Sequence, residues 1–143
     1  MKLHLNDTFN QQLPADSNVS NTRRQVFEAA FSFVSPRVPS HPNLLHVADE
    51  VAQLLGISQA ETQSLDFLNL VSGSAVYPET KPYAMAYAGH QFGNWAGQLG
   101  DGRAINLFEI LNNNQRWTLQ LKGAGETPYS RTADGFAVLR SSI

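Results

Sequence analysis

The amino-acid sequence predicts an α+β fold, in which helices in the first part of the chain precede an antiparallel sheet. Three observations indicate this order. Apolar residues recur at helical spacing between residues 22 and 72, glycine becomes frequent after about residue 74, and two strand-like segments lie between the later glycines. We therefore divide the 143 residues into an N-terminal helical segment, 1–82, and a glycine-rich part, 83–143.

The first predicted helix follows a polar, aperiodic stretch, residues 1–20, which we expect to be an arm or loop. The helix begins at Thr22 and is stopped at residues 35–39, because the prolines there lack a backbone N–H and crowd the preceding turn. Four apolar residues would share its buried face: Phe27, Ala30, Phe31 and Val34.

Two further helices are predicted before residue 74. One covers residues 43–55, carries an apolar stripe and has Gly56 in place as its C-terminal cap. The other begins at Ser58, whose hydroxyl can accept a hydrogen bond from the free backbone N–H three residues later. The Glu61 carboxylate can reach back from there and complete a capping box.

The two strand-like segments, residues 104–111 and 116–122, predict a β-hairpin. Three asparagines join them, and asparagine tolerates the left-handed backbone conformation that tight turns require. Along the second strand, alternation places Trp117, Leu119 and Leu121 on one face. The opposite face carries Thr118, Gln120 and Lys122.

Composition and charge argue against several classes of function. Ten Lys+Arg stand against twelve Asp+Glu, a net charge of −2, so we expect no nucleic-acid partner. No apolar run approaches the roughly 18 residues of a membrane span, and the first residues do not look like a leader peptide, so we expect no membrane partner. Cysteine is absent, which excludes thiolate chemistry and cysteine-based zinc sites. The four histidines lack metal-ligand spacing, and we expect no metal site on them.

The first candidate binding feature is the turn at residues 97–103. Gly100 and Gly102 flank one aspartate, and backbone N–H groups exposed there could approach a phosphate closely, because glycine has no Cβ atom. Arg103 adds a guanidinium group suited to phosphate oxygens. The alternative is a purely structural turn with Arg103 on a solvated edge. The turn is not a GxGxxG motif, and the chain contains no GxxxxGK[ST] motif.

Lys122 is the second candidate. It lies at the end of a predicted strand, on the face turned away from the core, where it could reach a cleft or simply remain a solvated surface lysine. A glycine-rich turn, a strand, a turn and a strand that ends in lysine follow one another in the N-terminal lobe of protein kinases. This order favours a kinase-like N-lobe sheet. A further Asp134-Gly135 turn follows the hydroxyl-rich residues 127–131 and could contact a nucleotide, although such residues are also common in ordinary loops.

Three long motifs carry a family resemblance: residues 87–104, 121–131 and 134–143. In this order they resemble the selenoprotein O family, which is called YdiU in bacteria; the likeness over residues 1–82 is looser. The resemblance implies a protein-kinase-like fold and a protein adenylyltransferase, which moves AMP from ATP to Ser, Thr or Tyr hydroxyls of protein substrates with Mg²⁺ or Mn²⁺. It also implies a bacterial cytoplasmic location and an ATP site formed by Gly100, Gly102, Arg103, Lys122, Asp134 and Gly135.

Two departures from the family pattern limit what this chain is expected to do. Phe136 stands where members usually have an arginine, and the chain stops before the family's C-lobe, catalytic aspartate and metal ligands. No catalytic or metal-binding residue is therefore expected among the 143 residues, and the chain alone should be inactive. Two alternatives remain open: a kinase-like phosphotransferase, and a non-catalytic fragment that binds nucleotide.

Overall fold

The computed structural model describes residues 1–136. This part of the chain contains four short helices and six strands. In chain order they are α1 (Thr8–Gln12), β1 (Phe31–Phe33), α2 (Asp49–Leu54), α3 (Gln59–Thr62), α4 (Leu65–Ser72), β2 (Tyr83–Met85), β3 (Ala88–Gln91), β4 (Asn94–Gln98), β5 (Ala104–Asn112) and β6 (Gln115–Lys122). The helices and antiparallel strands confirm the mixed composition that the sequence predicts. None of the helices described is long and apolar enough to cross a membrane.

An antiparallel sheet in the order β1-β2-β5-β6 forms the centre of the fold. The β5–β6 hairpin confirms the prediction, with Asn113 and Asn114 at φ angles of 49° and 60° in the turn. Its register pairs Ala104 with Lys122, and a bulge lies between Asn106 and Phe108. Strand β5 is the most buried strand, since every residue from 105 to 110 is buried.

Helix α4 packs against one face of this sheet. Leu70 of α4 joins Leu107, Phe108 and Ile110 of β5 in one apolar cluster. The predicted capping box is present, because the Ser58 hydroxyl accepts from the Glu61 N–H at 3.3 Å and the Glu61 carboxylate accepts from the Ser58 N–H at 2.8 Å. The single helix predicted after Ser58 is divided into α3 and α4, and Ser64 caps the second of them.

The helix predicted from Thr22 is wrong. Residues 22–30 form no regular element, Glu28 adopts a positive φ of 55°, and Phe31–Phe33 is strand β1. Of the four residues predicted to share a buried face, Phe27 is 78% exposed, whereas Phe31 packs against Phe9 and Tyr83 with ring centroids 5.8 and 5.3 Å apart. Pairing of β1 with β2 then satisfies the backbone, and tertiary contacts override the local pattern.

Two other predicted elements differ from the structure. The helix predicted over residues 43–55 is only α2, Asp49–Leu54, and Leu45 ahead of it is 81% exposed. Residues 1–20, expected to be an arm or loop, contain α1 and a short stretch along β5, where Leu5 forms an antiparallel bridge with Ile110. The division at residue 82 remains a prediction, although β1 from the first part pairs with β2 from the second.

Candidate functional site

The turn that precedes β5 is anchored by a buried aspartate. Asp101 is 7% exposed, and its Oδ2 accepts hydrogen bonds from the Met85 N–H at 3.0 Å and from the Asn106 side-chain amide at 2.8 Å. Its own N–H donates to the Met85 carbonyl, and the Gly102 N–H donates to the Gly100 carbonyl. The expectation that this turn exposes backbone N–H groups is therefore wrong for residues 101 and 102, because internal carbonyls already accept from them.

The two glycines of this turn allow a second loop to pack closely. Gly100 has a φ of 123°, and a Cβ atom there would lie 2.6 Å from Cγ of Tyr129. A Cβ atom on Gly102 would lie 2.9 Å from the Tyr129 carbonyl oxygen. The structure thus explains both glycines by contact with the loop at residues 127–131.

Hydroxyl groups of the second loop complete this joint. The Thr127 hydroxyl donates to the Asp101 carbonyl at 2.7 Å, and the Ser130 hydroxyl donates to the Gly102 carbonyl. Both hydroxyls are buried. The TPYSR segment is therefore a fixed partner of the glycine turn rather than an independent surface loop, and the sequence alone did not indicate this.

Arg103 lines a cleft of about 320 Å³ next to this joint. The β3–β4 hairpin forms one wall, and the loop at residues 129–133 forms the other. Burial raises the pKa of Tyr87 on the hairpin side above its ordinary value. The lining residues are Tyr87, Gln91, Leu99, Gly100, Gly102, Arg103, Tyr129, Ser130, Arg131 and Ala133.

Lys122 faces a different cavity. Its side chain is exposed at the end of β6 and lines a groove of about 960 Å³ between β6 and helices α2 and α4. The backbones are nevertheless adjacent, because the Gly123 N–H donates to the Arg103 carbonyl at 2.7 Å. The structure therefore brings the two predicted cations to neighbouring strand ends, with their side chains on separate surfaces.

Asp134 and Gly135 lie on a third surface. Asp134 is exposed, its Oδ1 accepts from the Phe136 N–H at 2.9 Å, and it lines a cavity of about 370 Å³ that also includes Arg23 and Glu126. Gly135 has a φ of 79°, and a Cβ atom there would collide with the Gly125 carbonyl. Gly135 thus permits close packing of two loops. The rest of the third motif, residues 137–143, lies outside the described residues.

A cationic side chain lies close to Phe136. The guanidinium carbon of Arg37 lies 5.0 Å from the centroid of the Phe136 ring. Both residues line the Lys122 groove and the cavity beside Asp134. Arg37 therefore supplies a positive charge beside Phe136.

The described residues do not offer a site for Mg²⁺ or Mn²⁺. Within residues 1–136, no group of three or more His, Cys, Asp or Glu side chains is arranged to hold a metal ion. Asp101 is committed to Met85 and Asn106, and Glu109 accepts from Thr8 and Phe9. These two carboxylates are occupied by protein donors and do not fit a divalent cation.

Sequence reasoning missed two features of this region. The β3–β4 hairpin was not predicted, although two glycines flank the tight turn at Phe92-Gly93. Arg131 was included only in the hydroxyl-rich stretch 127–131, and the Ser130–Gly102 contact places it at the same cleft as Arg103. The glycines at 100 and 102 were the available signal, since they indicate close approach of another backbone.

Comparison with known proteins identifies the family. A family model described as "Protein adenylyltransferase SelO" matches residues 16–143. The chain is 64% identical over 141 residues to the protein nucleotidyltransferase YdiU of Flavobacterium johnsoniae, covering 99% of this chain and 27% of that protein. The corresponding proteins of Tolumonas auensis and Rhodopirellula baltica are 53% and 51% identical, again over 99% of this chain and over 27% and 26% of their own lengths.

The chain therefore spans about a quarter of the length of the relatives it matches, since it covers 27% of the Flavobacterium johnsoniae protein. The match to the family model extends over both the helical layer and the glycine-rich part, residues 16–143. The three motifs at residues 87–104, 121–131 and 134–143 lie entirely within that match. The chain belongs to the SelO family.

Proposed function

We propose that this chain holds ATP for a protein adenylyltransferase reaction. In that reaction a hydroxyl oxygen of a Ser, Thr or Tyr side chain forms a bond to the α-phosphorus of ATP. The bond from that phosphorus to the β-phosphate bridge breaks, pyrophosphate leaves, and the hydroxyl proton passes to a base. The observation that carries the proposal is the match of residues 16–143 to a protein adenylyltransferase family model.

The cation arrangement supports a phosphate-binding role. Arg103 and Lys122 lie at the ends of neighbouring strands, joined by the hydrogen bond from Gly123 to the Arg103 carbonyl. We propose that the phosphate chain crosses this edge of the sheet and contacts both side chains, since guanidinium and ammonium groups are the usual partners of phosphate oxygens. Gly100 and Gly102 would serve this site mainly by keeping the turn against Tyr129.

Asp134 and Gly135 are proposed to border the same nucleotide from the loop that follows. Asp134 is exposed and its second carboxylate oxygen forms no hydrogen bond within residues 1–136, which leaves it available to a hydroxyl or amine of the nucleotide. A kinase-like N-lobe remains our proposal for the arrangement of the β5–β6 sheet. A cytoplasmic location is proposed as well.

The transfer step is proposed for the whole protein and not for this chain alone. Residues 1–136 lack a metal-binding carboxylate cluster, and phosphoryl-type transfer depends on metal-held charge and positioning. Mg²⁺ or Mn²⁺ would be held by residues outside this part of the chain. The 143-residue chain would then bind nucleotide without turning it over.

Labelled ATP distinguishes transfer of AMP from transfer of the γ-phosphate. The full-length Flavobacterium johnsoniae relative, incubated with a protein acceptor and Mg²⁺, should incorporate label from the α-phosphate and none from the γ-phosphate. Incorporation of γ-label would instead indicate a kinase-like phosphotransferase. The 143-residue chain should incorporate neither label, and clear incorporation of α-label by it would overturn the proposal that it is inactive.

Binding is tested separately on the chain itself. Lys122→Ala should weaken ATP binding about tenfold or more, because a charge-assisted contact is worth roughly 1.5–3 kcal/mol. Lys81→Ala is the matched control, since Lys81 is an exposed lysine beside the Phe33 ring and outside the groove. Equal ATP affinity in both variants and the unaltered chain would remove Lys122 from the proposed site.

A further inference from the structure

We propose that Arg131 is a second phosphate-binding arginine, which acts together with Arg103 in the cleft between the β3–β4 hairpin and the loop at residues 129–133. This inference rests on the proposed nucleotide function and adds a residue to it. It would make the cleft, together with the Lys122 side chain, a place where the phosphate chain is held.

The charge of the cleft is the first argument. Arg103 and Arg131 both line it, and within the described chain no acidic residue does. Neither guanidinium forms an ion pair or a side-chain hydrogen bond with any residue between 1 and 136. By contrast, Arg23 and Arg24 are paired with Glu126 and Asp16. Two unpaired arginines in one cleft favour an anion with several oxygens.

The position of Arg131 is fixed by the residue before it. The Ser130 hydroxyl donates to the Gly102 carbonyl, and a Cβ atom on Gly102 would lie 3.3 Å from Cα of Ser130. Arg131 and Arg103 are the next residues along the two chains that meet there. The joint between the two loops therefore places both arginines at the same cleft, on backbone that is held by the Ser130–Gly102 contact.

The backbone of Arg131 gives an independent argument. Its φ is 53°, in the left-handed region that favours glycine, and its carbonyl accepts from the Arg23 side chain at 2.6 Å. A side chain with a Cβ atom is strained in this conformation, so glycine or asparagine would suit the turn better. This strained position places the Arg131 side chain at the cleft, which supports a role for the guanidinium there.

The shape and lining of the cleft fit a polyphosphate. Its volume of about 320 Å³ is in the range of small-ligand sites. Tyr87 and Gln91 of the hairpin wall add neutral hydrogen-bond donors opposite the arginines. A planar guanidinium binds two phosphate oxygens at once, and two such groups can hold neighbouring phosphates of one chain.

The test measures binding of ATP, inorganic triphosphate and adenosine to the 143-residue chain by calorimetric titration. Arg131→Gly should weaken ATP and triphosphate binding about tenfold and leave adenosine binding unchanged, because only the phosphates lose a partner. The ATP affinity of Arg131→Lys should lie between that of Arg131→Gly and that of the unaltered chain. Arg116→Gln is the matched control, since Arg116 is an exposed arginine that bonds Thr8 outside the cleft, and it should bind as the unaltered chain does.

Folding is monitored in the same samples. Arg131→Gly should keep or raise the thermal midpoint, because glycine removes the strain at this φ angle; Arg131→Asn serves if the glycine variant does not fold. Unchanged ATP affinity in a folded Arg131 variant, with weaker binding in Lys122→Ala, would overturn this inference and leave the proposed function intact. An equal loss for adenosine and ATP would also overturn it. If the unaltered chain binds neither ATP nor triphosphate, both this inference and the proposed nucleotide site fail.

Discussion

The β5–β6 and β3–β4 hairpins have the same kind of turn but opposite surroundings. Asn113 and Asn114 have φ angles of 49° and 60° in the first turn, and Phe92 and Gly93 have φ angles of 51° and 79° in the second. Both are two-residue connections with left-handed central residues, which suit the twist of paired strands. The first hairpin belongs to the four-stranded sheet, whereas the second forms a two-stranded sheet of its own.

Burial separates the two hairpins. Phe108 of the first is completely buried, while Phe92 at the tip of the second is fully exposed and Trp95 is 65% exposed. The second hairpin is held at its base, where the Gln98 side chain accepts from the Val26 N–H at 2.7 Å and donates to the Arg24 carbonyl at 2.9 Å. We infer that the first hairpin stabilises the fold, and that the second shapes the wall of the Arg103 cleft.

The largest expected effect is on the buried hairpin. Phe108→Ala should lower the free energy of unfolding by about 3–5 kcal/mol, because it removes a large apolar side chain and leaves a cavity. Phe92→Ala is the matched change on the other hairpin and should alter stability by no more than about 0.5 kcal/mol, since the ring is exposed. Urea unfolding measures both. Similar losses in the two variants would contradict the division of roles.

A smaller loss is expected at the turn that joins the cleft to the sheet. Gly100→Ala introduces a Cβ atom 2.6 Å from Tyr129 and 2.7 Å from the Met85 carbonyl oxygen. Gly93 also has a positive φ, of 79°, but the Cβ atom that Gly93→Ala introduces would have no neighbour within 4 Å. Both should lose about 1 kcal/mol from the left-handed conformation, and overpacking should cost Gly100→Ala about 1–3 kcal/mol more. Equal losses would show that the loop at 127–131 yields to the added methyl group.

The base of the exposed hairpin should be sensitive to acid. Burial alone would raise the pKa of Asp16, but hydrogen bonds from the Asn18 N–H, Arg24 and Ser32, with the charge of Arg24, outweigh it and lower the pKa below 3.8. The ionised carboxylate therefore stabilises the folded state above about pH 4, and this stabilisation is lost as the pH falls through the lowered pKa.

Replacing Asp16 tests that dependence. Asp16→Asn should lower the free energy of unfolding at neutral pH by about 1–2 kcal/mol and flatten its decline below pH 4. The Arg24 carbonyl accepts a hydrogen bond from the Gln98 side chain at the base of the β3–β4 hairpin. Loss of the contact between Asp16 and Arg24 should therefore also make backbone hydrogen exchange at that base faster. Asp49→Asn, at an exposed helix position, should leave the acid decline in place. An unchanged decline in Asp16→Asn would assign the acid sensitivity to other carboxylates.

The first hairpin could be predicted from sequence and the second could not, for a physical reason. Residues 116–122 alternate because one face is covered, so burial leaves a period of two in the sequence. Neither face of β3–β4 is covered by the core, and its residues carry no such period. At the glycine turn, the N–H groups of residues 101 and 102 bond internally, and Tyr129, 29 positions after Gly100 (129 − 100), packs against it. Neither contact leaves a pattern in the local sequence.

The smallest effect is expected when the corresponding residues of the two turns are exchanged. Phe92 is a bulky residue with a φ of 51°, and the corresponding position of the first turn is Asn113 with a φ of 49°. Phe92→Asn should stabilise the chain by about 0.5–1 kcal/mol, because asparagine tolerates this conformation, and Asn113→Phe should destabilise it by a similar amount. Thermal unfolding of both variants measures the exchange. If Phe92→Asn also leaves triphosphate binding unchanged, the exposed ring has no part in the cleft, whereas weaker binding would extend the site to the tip of the hairpin.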